Sequence, residues 1–139
     1  GAIPQLEFRR ITHAPFEALG ATITPTPLKH GPKFDVLGFR IGNVAYCSDI
    51  SDFPDETVPR LQDLDVLIVD ALQYRFHSSH LSLSQALEWI ERLKPARAIL
   101  THMHVPLDYD TVQRETPDHV EPAYDGLRFE VVLSDDQAK

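Results

Sequence analysis

Val66-Leu67-Ile68-Val69 is an unbroken apolar run of strand length, and it constrains the fold more than any other stretch. A strand that is apolar on both sides must be covered on both faces, so it belongs inside a sheet. The clearest helix of the chain follows it. Ser82 and Gln85 stand at capping-box spacing, in which each side chain satisfies a backbone donor that the helix start leaves open. Leu83, Ala86, Leu87, Ile90 and Leu93 then make one apolar stripe, and Lys94-Pro95 ends it. If the stripe buries Leu87, truncating it to alanine is expected to cost roughly 2–5 kcal/mol. A second apolar run, Ala98-Ile99-Leu100, begins at once and ends in Thr101-His102-Met103-His104. Alternation along a strand would send His102 and His104 to the same side.

Upstream the pattern is one of hairpins. Leu6 to Ile11 alternates as an edge strand would, and so does Ala21 to Leu28, where Pro25 and Pro27 require an edge or a bulge. Val36–Ile41 and Val44–Cys47 are joined by Gly42-Asn43, a two-residue hairpin turn. A short helix is expected within Pro54 to Leu64, disturbed by Pro59 if that residue lies past the first turn. Asp108 to Thr116 reads as a short polar helix. Val120–Glu121 and Leu127–Leu133 read as strands, and residues 134–139 as a frayed tail. Antiparallel strands followed by helix–strand alternation give an α/β fold with a mixed sheet and a site along one edge.

The chain has 139 residues, 42% of them hydrophobic, which is one domain's worth with enough material for a core. A net charge of -8 argues against a nucleic-acid partner held by a basic surface. It leaves room for a small phosphorylated substrate, since a bound metal can dominate local charge. A lone cysteine, Cys47, cannot form an internal disulfide and fits a reducing compartment. No apolar run nears the roughly 18 residues that span a bilayer, so no membrane partner and a cytoplasmic location are expected.

Polar functional residues stand repeatedly just past strands or before helices: His30, Asp49, Asp70, His80 and His102. Imidazole and carboxylate are the usual ligands of zinc, manganese or iron, and a carboxylate can bridge two ions. Two metals about 3.5–4 Å apart stabilise both oxygens in phosphoester hydrolysis, and a further histidine can protonate the departing alkoxide. Each residue also has an ordinary structural reading. His30 can be a turn residue, and Asp49 a helix cap or Asx-turn. His77 and His80 can be exposed loop residues, the favoured reading for His77. Asp70 is read as orienting a neighbour without touching metal. His13 and His119 are read as surface.

The string from His30-Gly31 through Val36–Gly42 to Tyr46-Cys47-Ser48-Asp49 resembles the middle of a metallo-β-lactamase-fold hydrolase. Val66–Leu72, His77-Ser78-Ser79-His80-Leu81-Ser82, Ala98–His102 and Val120–Gly126 are similar to the branch containing phosphoribosyl 1,2-cyclic phosphate phosphodiesterase. The resemblance implies His30 as ligand to a first metal, Asp49 as a bridge, His102 as ligand to the second, and His80 as substrate-contacting general acid. Where relatives read Thr-His-x-Ser-His, this chain has Thr101-His102-Met103-His104-Val105, so His104 competes with His102, which is preferred. The family's first motif, His-x-His-x-Asp-His, has no counterpart here. Residues 1–133 are therefore expected to be the C-terminal half of a metallo-hydrolase domain, half of an αββα sandwich with a mixed, mostly antiparallel sheet and helices on one face.

The resemblance then implies part of a phosphodiesterase acting on a small cyclic or diester phosphate. Two zinc or manganese ions are expected in the complete protein, and partial or no occupancy in these 139 residues. The alternatives are a thioester or lactone hydrolase of the same fold and a non-catalytic half-fold module. The expected partners are the N-terminal half and, through an uncovered apolar face, further copies of the chain.

Overall fold

The computed structural model describes residues 1–133. Seven strands make one sheet in chain order: β1 (Phe16–Ala18), β2 (Ala21–His30), β3 (Phe34–Ile41), β4 (Val44–Cys47), β5 (Val66–Asp70), β6 (Arg97–Thr101) and β7 (Val120–Pro122). The pairings from β1 to β4 are antiparallel and those from β4 to β7 parallel. The longest ladder is antiparallel, β2 on β3 from Ile23↔Ile41 to His30↔Phe34. The sheet is mixed, as expected.

Helix α1 (Leu83–Leu93) connects β5 to β6, and α2 (Tyr109–Glu115) connects β6 to β7. Both crossovers step across the sheet in the same direction, and right-handed crossovers of that kind lie on one face. Ser82 and Gln85 form the capping box in full, and Asp108 caps α2 by accepting from the Thr111 N–H. The core on the helix side joins Ala45, Cys47, Leu67, Val69, Ala98 and Leu100 of the strands to Leu83, Ala86, Ile90 and Leu93 of α1. Leu87 is only half-buried at the edge of this cluster, so the full truncation cost belongs to Ile90 instead.

Pro25 and Pro27 sit in β2 beyond the short reach of β1. Their carbonyls face outward and accept from the side chains of Arg60 and Thr57, so no sheet partner misses the two absent donors. The expected hairpin is present, with Ile41 paired to Val44 across Gly42, whose φ of +57° suits the turn.

Three expected elements differ. Within 54–64 there is only a single 3-10 turn, Val58–Leu61, with Pro59 in its first turn where proline is tolerated. Leu6–Ile11 forms no strand. Leu6 and Phe8 are 77% and 90% exposed, and the edge is taken by Phe16–Ala18. Leu127–Leu133 is not a strand either. Phe129 lies under the Arg97 guanidinium at the start of β6, and Leu133 abuts Gly42 before β4. The segment thus crosses the strand beginnings instead of running along one, and no ladder can form. The expected tail, 134–139, lies outside the described residues.

Candidate metal centre

The C-terminal ends of β4, β5 and β6 converge on one edge, where ligands gather in parallel sheets. Asp49 follows β4 by two residues, Asp70 closes β5, and His102 follows β6 directly. His30 closes β2 on the antiparallel side, and His80 sits in the loop before α1. Asp49 and His102 both have left-handed backbones, φ +56° and +61°. These two residues therefore turn the chain back at the sheet edge and present their side chains there.

Metal-binding atoms of Asp49, His80 and His102 all lie within 4.8 Å of one another. His102 Nε2 is 3.2 Å from Asp49 Oδ1. The His80 ring stacks on His102 at 4.9 Å between centroids and meets His30 edge-on at the same separation. His30 thus joins the group through His80.

Asp70 is fully buried beneath this cluster. One of its oxygens, Oδ2, accepts from the Ile50 N–H at 3.1 Å and lies 2.8 Å from His80 Nδ1. Burial pushes its carboxyl above the ordinary carboxylate range, and the hydrogen bonds from His80 and Ile50 oppose that rise. A buried carboxylate on Nδ1 fixes the ring of His80 and leaves Nε2 as its free nitrogen.

His104 is outside the cluster. β6 ends at Thr101, and the left-handed His102 breaks the alternation that would have aligned the two histidines. The His104 side chain is exposed, and its backbone N–H bonds to the Leu72 carbonyl. His77 differs from its favoured reading as an exposed loop residue. It is half-buried, its ring 5.2 Å from that of His80, and its Nδ1 accepts from the Ser79 N–H. The His77-x-x-His80 spacing was the available signal. His13 and His119 are exposed, as expected.

The donors suit a divalent ion. Imidazole nitrogen and carboxylate oxygen converge, Asp49 remains accessible, and His30 Nδ1 is buried without a hydrogen-bond partner among the described residues. A buried nitrogen without a partner costs stability unless something occupies its lone pair.

Residues 4–103 match the Beta-lactamase superfamily domain. The chain belongs to that family. A diphosphatase from the PhnP family superposes with a TM-score of 0.87 at 34% identity, over 94% of this chain and 52% of that one. Zn2+-bound PqqB from Methylobacterium extorquens superposes with a TM-score of 0.69 at 13% identity, over 86% of this chain and 54% of PqqB, a likeness of fold alone. An octanoyltransferase from Porphyromonas gingivalis is 31% identical over 116 residues, which are 81% of this chain and 23% of that protein. The chain spans about half the length of the diphosphatase it matches and less than a quarter of the octanoyltransferase. The metallo-β-lactamase fold and the PhnP-like branch expected from the strings around Asp49, Asp70 and His102 are thus both found. No helix among the described residues is long and apolar enough to cross a membrane.

Proposed function

We propose that this chain forms one wall of a two-metal site in a cytoplasmic phosphodiesterase acting on a small cyclic or diester phosphate. The observation that carries the reading is the set Asp49, His80 and His102 within 4.8 Å, with His80 held from behind by buried Asp70. The 34% identity to a PhnP-family diphosphatase supports phosphoester chemistry over the thioester and lactone alternatives.

Asp49 and His102 would hold zinc or manganese, with Asp49 bridging and His30 contributing its unpartnered side to the other ion. When bound, such ions neutralise phosphoryl oxygens and lower the pKa of water. The remaining ligands would come from the N-terminal half of the fold. His80 has Nδ1 committed to Asp70, so its protonated Nε2 is the group that donates to the leaving oxygen. Asp70 keeps the ring in that orientation during the transfer.

The test uses the complete protein loaded with manganese and a panel of bis(p-nitrophenyl) phosphate, a thioester and a lactone. Turnover of the phosphodiester is expected, with His80→Ala lowering kcat by roughly 10²–10⁴-fold. Full activity of His80→Ala would remove the general-acid role, and preference for the thioester or lactone would replace the reading with its alternative.

A further inference from the structure

The chain grips His80 unevenly on its two sides. After it, Leu81 is fully buried, donates its N–H to the Ile50 carbonyl and accepts from the Leu72 N–H, both at 2.9 Å. Before it lies a loop in which residues 74–76 and Ser78 are exposed. Within 74–79 only His77 and Ser79 turn inward, each half-buried. These two are joined, since the Ser79 N–H donates to His77 Nδ1 at 3.1 Å. Ser79 in turn rests on Gly31, where a Cβ would lie 3.0 Å from the Ser79 hydroxyl oxygen. The φ of Gly31, +71°, also favours glycine. Everything that anchors the loop before His80 therefore passes through His77 and Ser79.

The ring of His80 needs a wall as well as a tether. Asp70 Oδ2 lies 2.8 Å from its Nδ1, and one such contact fixes a point of the ring but not its plane. Two of the rings against it, His30 and His102 at 4.9 Å, are the proposed metal ligands, so their own positions are set by the ions. His77 is the third ring, 5.2 Å between centroids and tilted by 53°. It stands outside the converging set of Asp49, His80 and His102, and its Nδ1 is committed to the loop. A general acid must keep its proton within hydrogen-bond reach of the leaving oxygen. A misplacement of about 1 Å can cost roughly 10²-fold in rate.

Resting on the phosphodiesterase reading, we propose that His77 is a positioning residue for the general acid. Its ring sets the plane of His80, and its bond to Ser79 keeps the loop folded onto Gly31. His77 acts through His80 alone and touches neither substrate nor metal. It therefore contributes to kcat and leaves KM and metal content as they are.

The experiment is a double-mutant cycle on the complete, manganese-loaded protein, with bis(p-nitrophenyl) phosphate as substrate and metal content measured for every variant. In His77→Asn the amide oxygen can still accept from Ser79, but the ring is gone. Its kcat should fall about tenfold, with KM and metal content within about twofold of wild type. In a His80→Ala background the same change should alter kcat by less than about twofold, because the ring it positions is absent. His77→Phe puts a ring back against His80 and should have a kcat between those of His77→Asn and wild type. His77→Gln carries the same cycle if His77→Asn fails to fold. An equal loss in both backgrounds, a raised KM, lost metal, no change in kcat, or a His77→Phe no better than His77→Asn overturns the positioning role and leaves the phosphodiesterase reading standing. Full activity of His80→Ala, or no turnover of the diester by wild type, removes that reading and the role of His77 with it.

Discussion

The two halves of the sheet are built to different rules. From β4 to β7 the strands are parallel, and their helix face is sealed by α1 and α2: Leu67, Val69, Ala98 and Leu100 are at most 0% exposed. From β1 to β3 the strands are antiparallel. Thr26 and Leu28 of β2 are nonetheless buried on the helix face, and it is the opposite face that opens to solvent, where Ile41 is 39% exposed and Tyr46 of β4 50%. The crossovers lay their helices on one face only, so that face is sealed well into the hairpins while the other stays partly open. The site follows the same division. Asp49, Asp70 and His102 come from the ends of the parallel strands, and the antiparallel half contributes His30 alone. The uncovered face on the other side is where the N-terminal half of the fold is proposed to pack.

That contrast can be broken by matched truncations. Leu100→Ala should destabilise the chain by about 2–5 kcal/mol in denaturant unfolding, and Ile41→Ala by about 1 kcal/mol or less, because that side chain is already partly in water. Equal losses would mean that the face away from the helices is as well covered as the helix face. A smaller effect tests the crossover itself. Ser82→Ala removes the side-chain acceptor for the Gln85 N–H and should cost about 1 kcal/mol. No loss would show that tertiary packing of α1 makes its cap redundant. The smallest perturbation is chemical. Burial pushes the Cys47 thiol up to about 12, so at pH 8 it stays protonated and should not react with a disulfide reagent until the chain is unfolded. Rapid native labelling would place an opening motion in β4, on the face that α1 and α2 seal.

Much of this was legible in the sequence, for identifiable reasons. The apolar run at Val66–Val69, the capped stripe of α1 and the Gly42-Asn43 turn are local signals whose physics does not depend on distant residues, and all three appear as read. The strands at Leu6–Ile11 and Leu127–Leu133 were not there to be found. Alternation gives a strand two faces but no partner, and neither segment is paired into the sheet. The place of Asp70 at a buried strand end suggested only that it orients a neighbour, and that the neighbour is His80 needed the fold. The choice of His102 over His104 in the cluster needed the backbone, because a left-handed residue after β6 cancels the alternation that made the two equivalent. The half-burial of His77 against His80 likewise depends on how the loop folds back over Gly31.

The central claim is that Asp49 and His102, presented by the ends of β4 and β6, hold metal. Its most direct test is calorimetric titration of the 139-residue chain with zinc or manganese, alongside Asp49→Ala, His102→Ala and His104→Ala. The account predicts weak binding of at most one ion, lost in the first two variants and kept in the third. Two tightly held ions per chain, binding that survives both Asp49→Ala and His102→Ala, or binding lost in His104→Ala would contradict it.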